Sequence, residues 1–249
     1  MDTSDERLYK TGARRGSDPD PAPGGAALNG EQRNTMGEKT TRAGFYRRFG
    51  KRGLDILLSA CGLLVLSPVY LALAVAIKLD SPGPVLFRQK RVGNHKTYFN
   101  ILKFRTMRID TPRDTPTHLL ADPEQWITPV GRFLRRTSLD ELPQIWNIFV
   151  GQMSIIGPRP ALWNQYDLLA ERDKYGANDL RPGLTGWAQI NGRDELAIDV
   201  KARFDGEYVQ RCSFGFDARC FFGTIFSVLR EDGVVEGGTG AAQTGKEKK

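Results

Sequence analysis

Cysteine and histidine are scarce in this chain, and their scarcity closes off several chemistries. Three cysteines, Cys61, Cys212 and Cys220, are scattered over 249 residues, and one of them lies inside an apolar run. No disulfide framework is readable from that spacing, and a reducing compartment is the simpler setting. The two histidines, His95 and His118, are not at metal-ligand spacing and have no cysteine cluster beside them, which argues against a zinc site. Large apolar residues are almost missing from positions 1–43, which are rich in Gly, Pro, Ala, Thr, Asp and Arg. Such a segment cannot bury enough surface to offset the entropy of ordering, so a disordered tail is expected there. No apolar stretch follows the first residues, which argues against a cleaved signal peptide. Met36 is a candidate for the true initiator, a point that N-terminal sequencing of native protein decides. Residues 233–249, Gly-rich and then charged, are expected to form a second disordered tail. No internal repeat is present.

What the chain has in excess is positive charge, with 36 Lys and Arg against 29 Asp and Glu and a net +7. That balance suits nucleic acid, an anionic membrane surface or phosphorylated substrates. Its placement favours lipid. A basic cluster, Arg42 to Arg52, immediately precedes Ile56 to Ile77, a run of 22 residues without a charge. A continuous helix over that run is about 33 Å long, enough to cross a bilayer. Ser67-Pro68 lies at its middle, where proline deletes a backbone hydrogen bond and the preceding hydroxyl can satisfy a freed carbonyl. Basic residues flank both ends: Arg47, Arg48, Lys51 and Arg52 before, then Lys78, Arg88, Lys90 and Arg91 after. The positive-inside rule places both ends on one face, which a re-entrant hairpin broken at Ser67 and Pro68 satisfies. A kinked transmembrane helix is the alternative. Either way the chain is expected to be membrane-bound.

The stretch from Arg132 to Pro160 carries the clearest chemistry. Asp140 and Glu141 are adjacent carboxylates at the expected start of an apolar helix. Ser138 with Glu141 three residues on reads as a capping box, and Pro143 belongs in a first turn. Capping is the bland reading of that pair. Arg135 and Arg136 before it, and the rigid Gly157-Pro158-Arg159-Pro160 turn after it, favour a second reading. An aspartate among arginines stays ionised beside an anion site, as a carboxylate nucleophile attacking a phosphoryl group requires.

Other segments are less specific. Val85–Phe87 and Tyr98–Leu102 alternate like strands around a Gly93-Asn94 hairpin turn. If the second strand continues, Lys103 and Arg105 share a face and offer a phosphate site, a solvated edge being the alternative. Residues 109–125 read as a loop. Residues 161–175 and 197–211 read as helices, the second with Val200, Phe204 and Tyr208 in a stripe and Asp205 beside it as a solvent-exposed charge. The Arg181-to-Arg193 segment, with three glycines, gives a tight loop whose backbone can approach a ligand, although glycine spacing alone favours an ordinary structural loop. Residues 217–230 are too short to span a membrane and read as an interfacial or core-docking helix.

Taken in order, the basic cluster, the broken apolar helix, LKFRTM at 102–107, RRTSLDELPQIWNIFVGQMS at 135–154, GPRP at 157–160 and RPGLTGWAQINGR at 181–193 resemble the monotopic phosphoglycosyl transferases. These bacterial sugar transferases begin lipid-linked glycan assembly, and the resemblance covers residues 46–232. It implies a mixed α/β, mainly helical fold. A re-entrant membrane hairpin over about 54–78 would carry a small cytoplasmic catalytic domain over about 84–232, with interfacial amphipathic helices. The transferase domain as a whole would span 44–232, on the cytoplasmic face of the bacterial inner membrane.

The resemblance further implies transfer of a sugar-1-phosphate from a UDP-sugar to polyprenyl phosphate, releasing UMP. The reaction would be ping-pong and Mg2+-dependent, through an aspartyl-phosphosugar, as a first membrane step in making exopolysaccharide, capsule, O-antigen or glycoprotein glycan. Asp140 would be the nucleophile and Glu141 its partner. Mg2+ would sit on Asp140, with Glu141 or Asp205 as further ligands. Lys103, Arg105, Arg135, Arg159 and Arg193 would grip phosphate oxygens, the forked guanidinium suiting that task. Glu207 stands where the family often has an aromatic, which bears on local packing. No added multi-span domain is expected. A membrane-anchored interaction protein accounts for the basic face but not for Asp140-Glu141 among cations. A phosphatase using Asp140 with water as final acceptor is a further alternative, and nucleic-acid binding is the weakest.

Overall fold

The computed structural model describes residues 44–111, 123–192 and 196–229. Both expected tails, residues 112–122 of the 109–125 loop, and Arg193 lie outside the described residues; the end of that loop forms a 3-10 turn, Pro123–Trp126.

The apolar run forms two helices, α1 (Lys51–Val65) and α2 (Ser67–Asp80), entered through a π-helical turn Tyr46–Gly50. Their axes bend by 59° at the expected place. Leu66 leaves helical geometry (φ −86°, ψ 1°), and Pro68 sits in the first turn of α2, where its missing N–H is harmless. Ser67 Oγ donates to Leu64 O at 2.8 Å, taking up a carbonyl that the break would otherwise orphan. No single helix among the described residues is long and apolar enough to cross a membrane. The bent pair passes that test together.

Next come β1 (Leu86–Val92) and β2 (Tyr98–Phe104), an antiparallel hairpin pairing Leu86 with Phe104 and Val92 with Tyr98. The strands are longer than the sequence suggests, and the connection is not a two-residue Gly93-Asn94 turn. A 3-10 turn Asn94–Lys96 fills it, with His95 and Lys96 at positive φ (49° and 57°). That costly backbone is tied down by His95 Nδ1 to Asp179 Oδ1 at 3.1 Å and Lys96 Nζ to Asp173 Oδ2 at 2.6 Å.

The helices α3 (Pro129–Arg136) and α4 (Gln144–Phe149) follow, joined by a one-turn 3-10 helix, Leu139–Glu141. The outer edge of β2 finds its partners on α4. Asn147 accepts from Leu102 N at 3.0 Å and donates to Asn100 O at 2.9 Å, so a buried amide replaces a third strand. Beyond α4, β3 (Ser154–Ile156) pairs in parallel with β4 (Gly183–Thr185), with α5 (Tyr166–Asp173) between them in sequence. The chain then runs through α6 (Trp187–Ile190), α7 (Ile198–Arg211) and α8 (Phe214–Leu229). The fold is mixed α/β and mainly helical, as expected.

The Gly-rich segment acquires a structural explanation here. A Cβ on Gly183 would collide with Gly157 N, and one on Gly186 with Gly157 O. The two backbones are laced by Gly157 N to Thr185 O and Gly183 N to Pro158 O, each at 2.8 Å. These glycines permit one backbone to touch another rather than a ligand. Their product is a rigid mount for the Gly157–Pro160 turn.

The core is distributed between the layers. Ile77 from α2 packs with Phe104 and Leu134; Phe99 and Ile101 pack with Ile148 and Met153; Ile156 packs with Tyr208, Cys212, Phe216 and Cys220. The end of α2 is therefore an integral part of the layer formed by β2 and α3. Burial of each such side chain contributes about 1.5–3 kcal/mol.

Candidate active site

Ser138 enters the 3-10 turn in the left-handed region (φ 55°), a conformation that costs an L-residue about 1–2 kcal/mol. It makes no side-chain cap. The capping box expected from sequence is absent, because the Glu141 carboxylate points to cations instead of its own helix start. Nor is the pair at the start of a continuous α-helix: it occupies the 3-10 turn, and α4 begins after Pro143. The turn holds two adjacent carboxylates at an element junction, with Asp140 only 8% exposed.

Lys103 reaches this turn from β2. Its Nζ lies 3.5 Å from Asp140 Oδ2 and 2.8 Å from Glu141 Oε1. Arg159, held on the glycine-backed turn, places Nη2 3.2 Å from the same Glu141 oxygen. Burial alone would raise the Glu141 carboxyl. The Lys103 ammonium and the Arg159 guanidinium outweigh it and hold the group well below the usual carboxylate range. Glu141 is thus ionised at neutral pH and fixes two cations beside Asp140. Arg135, at the end of α3, donates Nε to Thr106 Oγ1 at 2.9 Å, beside the end of β2.

Four of the sequence-derived candidates therefore converge: Asp140, Glu141, Lys103 and Arg159. Arg105 does not join them. It is 6% exposed and turned to the end of α2, donating to Pro82 O and Ser81 O at 2.7 Å each and to Ile77 O at 3.3 Å. The orphan carbonyls at a helix C-terminus attract a cation, so Arg105 serves as a C-cap and not as a phosphate grip. Asp205 is a second correction. Far from being solvent-exposed, it is 1% exposed and paired with Arg172 at 2.7 Å between α5 and α7. Burial raises its carboxyl against the pull of Arg172. It is committed to that pair, which removes it as a metal ligand.

Several positioning residues give little sequence signal. Tyr70 Oη, from the middle of the apolar run, donates to Leu142 O at 2.6 Å. Arg91 lies on the strand face of Lys103 and donates Nη1 to Pro160 O at 3.0 Å, tying the Arg159 turn to β1. Asp55, buried on α1, accepts from Ser154 Oγ at 3.1 Å and Ile155 N at 3.0 Å. Hairpin, strand and turn are thereby pinned around one pair of carboxylates.

The family model for bacterial sugar transferases matches residues 46–231, which take in every element just described. The chain belongs to the bacterial sugar transferase family. Similarity to individual members is consistent with this. A UDP-glucose:undecaprenyl-phosphate glucose-1-phosphate transferase of Escherichia coli (strain K12) is 43% identical over 187 residues, covering 72% of this chain and 40% of that protein. The exopolysaccharide production protein ExoY of Sinorhizobium fredii is 35% identical over 197 residues, covering 74% of this chain and 87% of that protein. The sugar transferase EpsL of Bacillus subtilis (strain 168) is 37% identical, with 89% of its length covered. Against the longer sugar transferases, such as the E. coli protein, the chain spans about two fifths of the relative's length.

Magnesium commonly binds through one or two carboxylates together with substrate phosphates. Among the described residues no group of three His, Cys, Asp or Glu side chains comes together. The donor set at this sugar transferase turn is the Asp140–Glu141 pair. That is sufficient for magnesium shared with a diphosphate, with Glu141 already engaged by Lys103 and Arg159.

Proposed function

We propose that this chain transfers a sugar-1-phosphate from a UDP-sugar to polyprenyl phosphate, with release of UMP. The observation that carries the reading is the buried Asp140 carboxylate, beside a cation-locked Glu141 and 3.5 Å from Lys103. Relatives named as UDP-glucose:undecaprenyl-phosphate glucose-1-phosphate transferases, among them those of E. coli and Xanthomonas campestris, support the substrate classes.

In the first step an Asp140 oxygen attacks the β-phosphorus of the donor, the bond to the UMP oxygen breaks, and UMP departs. The sugar-1-phosphate is left on Asp140 as an acyl phosphate. In the second step an oxygen of polyprenyl phosphate attacks the same phosphorus, displaces the Asp140 carboxylate and completes a lipid-linked diphosphosugar. Two anions meet in each step, so charge neutralisation sets the rate. Lys103 and Arg159 supply it from the protein. We assign the departing phosphate to Arg135, whose Nε donates to Thr106 Oγ1 at the end of β2, and Arg193 joins them as a candidate from the sequence. Mg2+, bound by Asp140 and the diphosphate, would supply Lewis-acid neutralisation.

The acceptor explains the hairpin. The exposed side chains of α1 and α2 include Leu57, Leu64, Val65 and Leu71, an apolar surface with no protein partner among the described residues. We read it as re-entrant, both ends on the cytoplasmic side of the bacterial inner membrane, because cations flank both ends and the bend lies midway. The Tyr70–Leu142 bond then ties the carboxylate turn to the membrane-inserted hairpin, within reach of a membrane-held isoprenoid phosphate.

The test is UMP release from a panel of UDP-sugars by detergent-solubilised protein with Mg2+, with and without polyprenyl phosphate. From one donor, repeated turnover of UMP is expected only with acceptor, and at most one equivalent of UMP per enzyme without it. Asp140→Asn should lower it by on the order of a thousandfold or more while membrane association is retained. Near-normal turnover in that variant would remove Asp140 from the nucleophile's role.

A further inference from the structure

The C-terminal end of α4 is covered by two arginines from distant parts of the chain. Arg52, on α1, donates Nη1 to Ile148 O at 2.6 Å and Nη2 to Phe149 O at 2.7 Å. Arg181 donates Nε to Gly151 O at 3.1 Å. Gly151, at φ 92°, lets the chain turn beneath them, and a Cβ there would stand 3.1 Å from Arg52 Nη2. One guanidinium is enough to satisfy the last carbonyls of so short a helix. The second adds repulsion: burial lowers the Arg52 pKa, and Arg181 lowers it further. The nearby Asp55 carboxylate, whose hydrogen bonds come from Ser154 and Ile155, offsets part of that repulsion without reversing it. Among the described residues no carboxylate forms an ion pair with either Arg52 or Arg181. A concentrated positive site with donors to spare is the signature of a bound anion.

What surrounds the site says which anion. Trp146 and Phe149 on the same helix and Val150 at its cap are exposed, the two rings 5.8 Å apart, and Ile56 is exposed one turn beyond Arg52 on α1. A free phosphate gains nothing from such a shelf, whereas a lipid carries an acyl chain to lie against it. Arg52 also stands at the mouth of the apolar run, the level at which headgroups lie. We propose that Arg52 and Arg181 hold the headgroup phosphate of an anionic phospholipid, its chain resting on Trp146, Phe149 and Val150. The site lies at the opposite end of α4 from Asp140, so it is an anchoring site for bulk lipid and not the acceptor's. It rests on the membrane reading above.

The experiment places the full chain in nanodiscs of phosphatidylcholine containing a minor fraction of phosphatidylglycerol. Bromine is carried on the acyl chains of one lipid or the other, and Trp146 fluorescence is read by difference from a Trp146→Phe chain. Brominated phosphatidylglycerol is expected to quench Trp146 several-fold more strongly than the same mole fraction of brominated phosphatidylcholine. Arg181→Gln, a change at an exposed side chain, should abolish that preference while quenching by phosphatidylcholine persists. Inorganic phosphate in the buffer should not compete. An undiminished preference in Arg181→Gln, equal quenching by both lipids in the wild type, or competition by inorganic phosphate would each overturn the proposal. Quenching by neither lipid would overturn the membrane reading on which it stands, a result distinct from the other three.

Discussion

At the scale of single residues, the proposed site divides into one carboxylate assigned to react, Asp140, and groups that keep it charged and aimed. Glu141 belongs to the second kind. Its carboxyl is depressed, so the stabilisation from its contacts with Lys103 and Arg159 is complete above its ordinary titration near pH 4.5 and fades as pH falls through the lower folded value. In acid titrations the wild type should therefore lose stability below pH 4.5 more steeply than Glu141→Gln, as followed by circular dichroism. Equal slopes would mean the ion pairs contribute nothing. Arg105 makes the opposite case, a cation in a family motif that works as mortar. Arg105→Met should lower unfolding free energy by about 2–4 kcal/mol, seen as a drop in Tm, with the donor KM little changed in whatever protein remains folded. A large KM effect at full stability would return Arg105 to the phosphate site. Sequence could name both residues but not separate them. Lys103 and Arg105 are two apart, and only where β2 ends does the second side chain turn toward the carbonyls of α2. Asp205 was misjudged for a related reason, since its partner Arg172 lies 33 residues away on another helix.

At the scale of elements, the broken helix was legible because proline's missing N–H and the serine beside it act locally, and the bend is where they put it. Elements closed by distant contacts were not. The Gly157 and Gly183 backbones meet because β3 and β4 pair in parallel across a crossover, which no local pattern announces. Gly183→Ala should destabilise the fold by about 1–3 kcal/mol, because its methyl group would fall on Gly157 N. Thermal melts would register this, and an unchanged Tm would deny the interlock. The Tyr70 hydroxyl was hidden within an apolar run where only its ring seemed relevant. Tyr70→Phe should cost about 1 kcal/mol of stability, yet lower turnover further than that loss alone, because it loosens the Asp140 turn from α2. Turnover matching the wild type would reduce the bond to packing.

At the scale of the whole molecule, charge and apolar surface point the same way. The cations that made nucleic acid and lipid equal candidates by total count flank or cap elements that bear exposed leucines, valines and phenylalanines. That distribution, with the carboxylate turn hydrogen-bonded to the apolar hairpin, suits the proposed enzyme whose acceptor is held in a membrane. Membership of the bacterial sugar transferase family fits it. The central claim is the covalent step. Intact-mass measurement of the protein incubated with its UDP-sugar and Mg2+, acceptor omitted, tests that step most directly. The expected result is a mass gain of one sugar phosphate, present in the wild type, absent in Asp140→Asn, and discharged on addition of polyprenyl phosphate. A gain that survives in Asp140→Asn, or UMP release that strictly requires acceptor with no adduct, would contradict it.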